Sequence, residues 1–316
     1  MLDIDLKGKR ALVVGIADDR GYGWAIAKAL KKAGAELLAG TWPPVLKIFT
    51  KSLESGKLDV DLGDGDGDLS FEKIYPVDAM YDILEDVPDE IKNNKRYVDI
   101  GDFTIAGIAQ AVEKDFGKGG LHVVIHSLAN APEINKALIQ TSRQGYLSSI
   151  SASAYSFVRI VAEFSPIMAR GGSFLTLTFM ASNRVMPGYG GAMSTAKAAL
   201  ESDTRTLSFD AGRVYGHRIN SISAGPLKSR AAMAIGSGFV ETMIGYSDAH
   251  APLGSLLTAE DIGSMAAFLS SDLAKAVTGT VIYVDNGLHV MGKTADRIQK
   301  NPPTERSLWG LPEEDE

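Results

Sequence analysis

Short apolar runs recur along the chain between polar turns, and each has the length of a strand rather than of a helix. They are Lys9–Gly15, Glu36–Gly40, Ile74–Val77, Leu121–Ile125, Ser173–Thr178, Arg218–Ser223 and Thr280–Val284. Several are apolar at successive positions, the pattern of parallel strands buried on both faces. Between them the apolar residues fall at helical spacing. Ala25–Ala33 is rich in Ala, Leu and Lys and closes at Gly34, a residue that helix C-termini favour. Ile105, Ile108, Ala109, Val112 and Phe116 form one stripe within Phe103–Phe116. Gln140–Pro166 reads as largely one long helix, ended by Gly171-Gly172, and a further helix starts near Met193. Lys228–Ala234 and Phe239–Tyr246 read as short helices hinged by Gly236 and Gly238, as a substrate lid requires. Thr258, with Asp261 three residues on, caps a last helix running to about Leu269.

Strand–helix alternation from Lys9 to Gly287 predicts an α/β fold. The expected architecture is a single doubly wound domain, a seven-stranded parallel sheet with helices on both faces. The loops at the carboxyl ends of the strands then share one edge, where open sheets of this kind hold ligands. The domain is expected to span 1–292, with edge excursions at about 55–72 and 79–102, a lid at 224–246 and a peripheral tail at 293–316.

The first loop carries Gly15, Gly21 and Gly23 between strand and helix. Glycines there let backbone approach a pyrophosphate, and the helix N-terminus offers N–H groups to it. After the second strand stands Thr41-Trp42-Pro43, with neither a ribose-binding acid nor a cation for a 2′-phosphate. Trp42 stacks on an adenine or fills the core, and this stretch leaves both open. Asp78, just past the third strand, can accept from an adenine amino group or cap the next segment. Asp59, Asp61, Asp64, Asp66 and Asp68 resemble a calcium loop at first sight, but lack the acid that ends one.

Composition narrows the chemistry. With 316 residues, a formal charge of -7 and no cysteine, the chain offers neither a nucleic-acid footprint nor thiolate chemistry. No apolar run reaches membrane-spanning length. The five histidines (His122, His126, His217, His250, His289) show no metal-ligand spacing, and His126 reads as structural. The stretch Val185–Thr204 is different. Pro187, Gly188, Gly190 and Gly191 make a turn that presents Tyr189 before a helix carrying Lys197. A phenol near an ammonium stays acidic enough to stabilise negative charge growing on a substrate oxygen. The plain alternative is a surface turn with an aromatic plug.

Five blocks in order make a resemblance. They are Gly15 to Ala27, Thr41 to Val45, Ser127 to Asn130, Tyr189 to Asp203, and Ser223 to Leu227. Over roughly Leu2–Gly292 the chain closely resembles the NADH-dependent enoyl-[acyl-carrier-protein] reductases of type II fatty acid synthesis. These belong to the short-chain dehydrogenase/reductase superfamily, and the nearest look is the long form of plastids, apicomplexans and chlamydiae. The resemblance implies a Rossmann-like domain, an oxidoreductase of lipid metabolism and NADH/NAD+ as cofactor. It also implies an acyl carrier protein-linked enoyl substrate and a homotetramer. No metal, nucleic acid or membrane partner is expected. The location is cytoplasmic in a bacterium, or plastid or apicoplast in a eukaryote after removal of a transit peptide.

The same resemblance assigns residues. Catalysis falls to Tyr189 and Lys197, the latter holding the nicotinamide ribose. Cofactor contacts fall to Gly15, Asp19, Tyr22, Trp42, Asp78, Ala79, Ser127, Leu128, Ala129 and Asn130. They continue through Lys197, Ala224, Gly225, Pro226, Leu227 and Ser229. Substrate contacts fall to Phe179, Tyr189, Met193 and Ala231. Lys228 and Arg230 are candidates for receiving an acidic carrier protein. Generic superfamily members place tyrosine four residues before lysine, a slot that holds Met193 here, whereas Tyr189 lies eight before Lys197. That spacing argues against the alternative of a carbonyl or alcohol dehydrogenase. One departure touches the pocket: the family's second tyrosine, ten residues before the catalytic one, is Phe179.

Overall fold

A computed structural model describes residues 3–63, 65–227, 237–254 and 256–292. Seven strands form one sheet: β1 Arg10–Val14, β2 Glu36–Thr41, β3 Lys73–Pro76, β4 Leu121–His126, β5 Met168–Thr178, β6 Arg218–Ala224 and β7 Val281–Val284. Their order is β3-β2-β1-β4-β5-β6-β7, and every pairing is parallel.

The continuous apolar runs follow from this burial. Ala11 and Val13 of β1 join Leu37, Ala39 and Val123 in one core, with Ile26 and Leu30 of α1 (Tyr22–Lys32). Leu12 and Val14 face the other way and join Leu38, Val124 and Phe174. That second core is closed by Ile105 and Ile108 of α4 (Ile105–Phe116), Phe157 and Phe164 of α6 (Ser156–Phe164), and Leu200 of α7 (Met193–Tyr215). Helix α1 lies against the last helix, Ala259–Ser270, so closely that a Cβ at Gly263 would stand 2.7 Å from the Ala25 carbonyl. The predicted cap of that last helix is present, Thr258 N donating to Asp261 Oδ2 at 2.8 Å.

Several local expectations are corrected. Helix α2 (Pro43–Glu54) begins directly after Trp42, where the sequence reading named no element; Pro at its first turn sets φ without losing a bond, and Phe49 anchors it. The predicted long helix is α5 (Arg143–Ile150) and α6 joined by a π-helical segment, Ser151–Tyr155. Gly171-Gly172 lies inside β5 rather than ending the helix, and the β4–β5 register shifts between Leu121 and Val123. The Asp-rich excursion is an irregular hairpin bridged between Asp61 and Asp68, yet it is not simply exposed. Leu62 and Leu69 reach the core, and Trp24 Nε1 donates to the Asp59 carbonyl at 2.9 Å. Asp59 also pairs with Lys28 at 2.7 Å. The excursion 79–102 has its own small core of Val87, Tyr97 and Phe103. The helix expected at Lys228–Ala234, the hinge at Gly236, the candidates Lys228, Ser229, Arg230 and Ala231, and the tail from Lys293 lie outside the described residues.

One buried charge ties the far side of the sheet to the last helix. Arg218, at the start of β6, donates to the carbonyls of Leu269 (2.5 Å), Ala274 (3.2 Å), Ser271 (3.3 Å) and Ser270 (3.4 Å). Helix ends leave such carbonyls without internal partners, and this guanidinium takes their place. Arg218→Met is expected to lower the unfolding free energy by about 3 kcal/mol, since it leaves buried acceptors unpaired. Urea denaturation measures it. Arg218→Lys should recover only part, because an ammonium lacks the planar fork.

Candidate active site

The carboxyl ends of β1 to β6 converge on one cavity of about 660 Å³. It sits where the sheet order reverses, between β1 and β4. Gly15 leaves β1 with φ +108°, and a Cβ on it would lie 2.1 Å from the Ser127 carbonyl. Only glycine permits that approach. Gly23, in the first turn of α1, packs on the Ser127 side chain, and a Cβ there would stand only 3.3 Å from Ser127 Oγ. The N-terminus of α1 and the loop after β4 therefore meet closely because neither glycine carries a Cβ. Tyr22 crosses the cleft, its hydroxyl donating to the Gly225 carbonyl beyond β6. Burial pushes that phenol up from its ordinary pKa.

At the end near β2 and β3, Trp42 is 49% exposed and its Nε1 donates to Asp78 Oδ2 at 3.1 Å. Asp78 is buried, and its Oδ1 accepts from Met80 N at 3.1 Å. The Tyr97 hydroxyl also donates to Asp78 Oδ2, at 2.7 Å. On the β4 loop, Ser153 of the π-helical segment clamps Asn130, accepting from its N–H and donating to its carbonyl, both at 2.9 Å.

The other end of the cavity holds Phe179, Tyr189, Met193 and Lys197. The turn before α7 packs on the loop at 133–136. A Cβ on Gly190 would meet the Lys136 carbonyl at 2.0 Å, and one on Gly191 would meet Glu133 at 2.5 Å. Ser149 Oγ donates to the Gly191 carbonyl at 2.7 Å. Ala192 then enters the helix at φ +64°, a left-handed conformation that costs an alanine about 1 kcal/mol or more. The backbone that follows Tyr189 is thus fixed by close contacts. Its ring meets Phe179 edge-on at 5.2 Å between centroids.

Lys197 is buried, and Nζ donates to the Leu177 carbonyl at 2.8 Å. Burial lowers its pKa to about 8, and the Glu201 carboxylate one turn on pulls the other way. Glu201 is held in turn by Thr178, whose hydroxyl donates to it at 2.8 Å. The sequence argument for an acidified phenol is corrected here: burial raises the Tyr189 pKa, leaving a neutral O–H donor. His126 stays out of the cavity lining, buried between Thr176 Oγ1 (2.8 Å) and Ser156 Oγ (2.9 Å). Its pKa falls to about 3 with desolvation as the largest cause, so it is a neutral structural group.

Most sequence-derived candidates meet in this one cavity. Gly15, Tyr22, Trp42, Asp78, Ala79, Ser127, Leu128, Ala129, Asn130, Ala224, Gly225, Pro226 and Leu227 line it beside Phe179, Tyr189, Met193 and Lys197. Asp19 does not; its carboxylate accepts from Asp59 N at 3.1 Å and fastens the Asp-rich hairpin to the first loop. Ser229 and Ala231 lie outside the described residues. The sequence reading missed Tyr97 and Thr178; Val240 and Met243, which line the cavity from the helix Ser237–His250, fall within the expected lid at 224–246 without having been named singly. Tyr97 carried no motif signal, because only folding brings residue 97 to residue 78.

A long ligand with an aromatic end, a phosphate-bearing middle and a polar sugar fits this cavity. Trp42 offers a half-exposed ring, the Gly15 and Gly23 cradle offers side-chain-free backbone, and Lys197 offers a buried amine. Among the described residues no group of His, Asp and Glu is placed to hold a metal, and no helix is long and apolar enough to cross a membrane.

Comparison with known proteins gives concordant matches. A family model described as Enoyl-(Acyl carrier protein) reductase matches residues 78–289. The chain is 55% identical over 296 residues to enoyl-[acyl-carrier-protein] reductase [NADH] 1, chloroplastic, of Oryza sativa subsp. japonica, covering 93% of this chain and 78% of that one. Among solved structures, the Plasmodium berghei enoyl-acyl-carrier-protein reductase with triclosan superposes with TM-score 0.87. It is 47% identical, with 91% of this chain and 100% of that chain covered. The Anaplasma phagocytophilum reductase in complex with NAD gives TM-score 0.74 at 27% identity, covering 95% of this chain and 98% of that one.

Proposed function

This chain belongs to the enoyl-(acyl carrier protein) reductase family, and on that premise we propose how its cavity works. It is an NADH-dependent oxidoreductase of fatty acid synthesis. It reduces the trans-2 double bond of an enoyl thioester on acyl carrier protein to the saturated acyl thioester. The observation that carries the assignment of residues is the meeting of Tyr189 and Lys197 with the glycine cradle in one cavity.

When bound, the dihydronicotinamide supplies the hydride that reaches the substrate's β-carbon. The protein's part is placement and charge. Lys197, held by the Leu177 carbonyl, orients the nicotinamide ribose and puts positive potential beneath the site. Charge gathers on the thioester oxygen as the β-carbon is reduced, the neutral Tyr189 hydroxyl donates to that oxygen, and a proton taken up from solvent at the α-carbon completes the saturated thioester. Such a donor matters most in the transition state, where the charge is largest. Phe179 has no hydroxyl, so its ring shapes the acyl pocket and steadies Tyr189 from the side. Met193 occupies the slot four before the lysine and is buried and apolar, which leaves Tyr189 as the donor.

Residues 1–292 form the reductase domain in this proposal, with 224–246 as a lid over the acyl chain; Val240 and Met243 in the cavity wall support it. A homotetramer is proposed from the family, and the exposed Leu147 of α5 and Phe209 and Val214 of α7 support an assembly surface. The plant relative's chloroplastic name supports a plastid-type setting if the source is a eukaryote.

Loss of NADH absorbance with a crotonyl or dodecenoyl thioester, and not with a ketoacyl thioester, tests the reaction. NADH should be strongly preferred over NADPH, since the turn at Trp42 offers no cation to a 2′-phosphate. Equal kcat/KM for the two cofactors contradicts that.

Tyr189→Phe should lower kcat/KM by about 100-fold or more, the usual effect of losing one such donor, with NADH affinity and melting temperature retained. Phe179→Tyr should change activity less than about tenfold, the ring being what matters there. Steady-state kinetics beside thermal unfolding separates the two.

The lysine makes a pH prediction. Its pKa near 8 means that Nζ is an ammonium below that pH and a neutral amine above it. kcat/KM for NADH, which reports the free enzyme, should therefore decline as pH rises through about 8. Lys197→Met should abolish this alkaline limb while lowering NADH affinity overall.

A further inference from the structure

The excursion 79–102 lines the cavity at its start, with Ala79 and Met80, and reaches the cavity wall from behind through Tyr97. Tyr97 is buried, its ring meeting Phe103 at 4.9 Å, and its hydroxyl donates to Asp78 Oδ2 at 2.7 Å. The Phe103 carbonyl in turn accepts from Asp78 N at 2.7 Å. Asp78 is therefore held at its side chain by the excursion and at its backbone by Phe103, the residue just after the excursion. The same Oδ2 accepts the Trp42 indole N–H at 3.1 Å. Trp42 is 49% exposed, so packing covers only part of its ring, and this one hydrogen bond sets how the ring faces the cavity. Asp78 Oδ1 is held by Met80 N, which leaves the carboxylate little freedom to turn while Tyr97 is in place.

We infer that Tyr97 is a positioning residue for the adenine-side half of the cofactor site, acting through Asp78 on Trp42. The inference rests on the reading of this cavity as the NADH site. The excursion is then a brace whose own small core, built on Val87 and Phe103, delivers a single hydroxyl to the carboxylate. Without that hydroxyl the carboxylate keeps only Met80 N and the indole itself, so the half-exposed ring is held by a less firmly fixed partner. A stacking surface that must be ordered on binding gives weaker binding than one already ordered.

Tyr97→Phe keeps the ring and removes the donor. Calorimetric titration with NADH should show Kd raised roughly fivefold to tenfold, the net worth of one ordinary hydrogen bond, because the bond acts on the ligand only through the indole it orients. KM for NADH should follow, while kcat at saturating NADH and KM for the enoyl thioester hold. In a Trp42→Phe background the same change should add less than about twofold, because the indole it orients is gone. Fully additive losses in the double variant overturn the inference, as does unchanged NADH affinity in Tyr97→Phe. A fall in kcat and in both affinities together, with a lowered melting temperature, marks Tyr97 as a core plug and also overturns it. Wild-type protein that binds no NADH in the same titration overturns the reading of the cavity itself.

Discussion

The cavity depends on the contact between the loop after β1 and the loop after β4. The chain leaves β1 toward β2 on one side and leaves β4 toward β5 on the other, so their carboxyl ends part and a crevice opens. For the crevice to have a floor of bare backbone, Gly15 must lie against the Ser127 carbonyl, where a methyl group has no room. Helix α1 then starts at Tyr22 after the Gly21 cap, which has no capping side chain, and brings the N–H groups of its first turn to the gap. Tyr22, Asn130 and Gly225 take their places around that floor, each bonded to a different element. A sheet of the same strands in simple sequential order would bury these residues equally well and make no site.

Electrostatics at the other end is arranged with few charges. The chain is acidic overall at -7, yet the cavity presents neutral phenols at Tyr22 and Tyr189, and His126 behind it is neutral. Lys197 contributes a cation only because Leu177 and the nearby Glu201 offset part of its desolvation. This is a pre-arranged field of one buried amine and one hydroxyl, not a cluster of acids and bases. It suits an oxygen that gains negative charge briefly and returns to neutrality. The strained entry at Ala192 belongs to the same arrangement, since the turn that aims Tyr189 has to join α7 without an extra residue.

The legible part of the fold followed from burial. A central strand covered on both faces has to be apolar at successive positions, and β1, β2 and β4 show it, so their limits were read to within a residue or two. Helix α2 was missed because Trp42-Pro43-Pro44 reads as a stop, although proline is well tolerated in a first turn. The π-helical segment was missed for a different reason. Its apolar spacing over a few residues cannot be told from an α-helix, while its effect, aiming Ser153 at Asn130, appears only in three dimensions.

The sequence determined by itself the fold class, the glycine-bearing first loop, and the eight-residue step from Tyr189 to Lys197. Each is fixed by neighbours in the chain: strand periodicity, φ freedom and helix register are local properties. What only tertiary structure decided is who meets whom. Asp19 reads like a loop residue of the cofactor site, yet folding turns its carboxylate to Asp59. Tyr97 reads like nothing, yet folding brings its hydroxyl to Asp78. The state of Tyr189 was misjudged for the same reason. A pKa follows from the solvent and charges around a group, and those are supplied by residues far away in the chain.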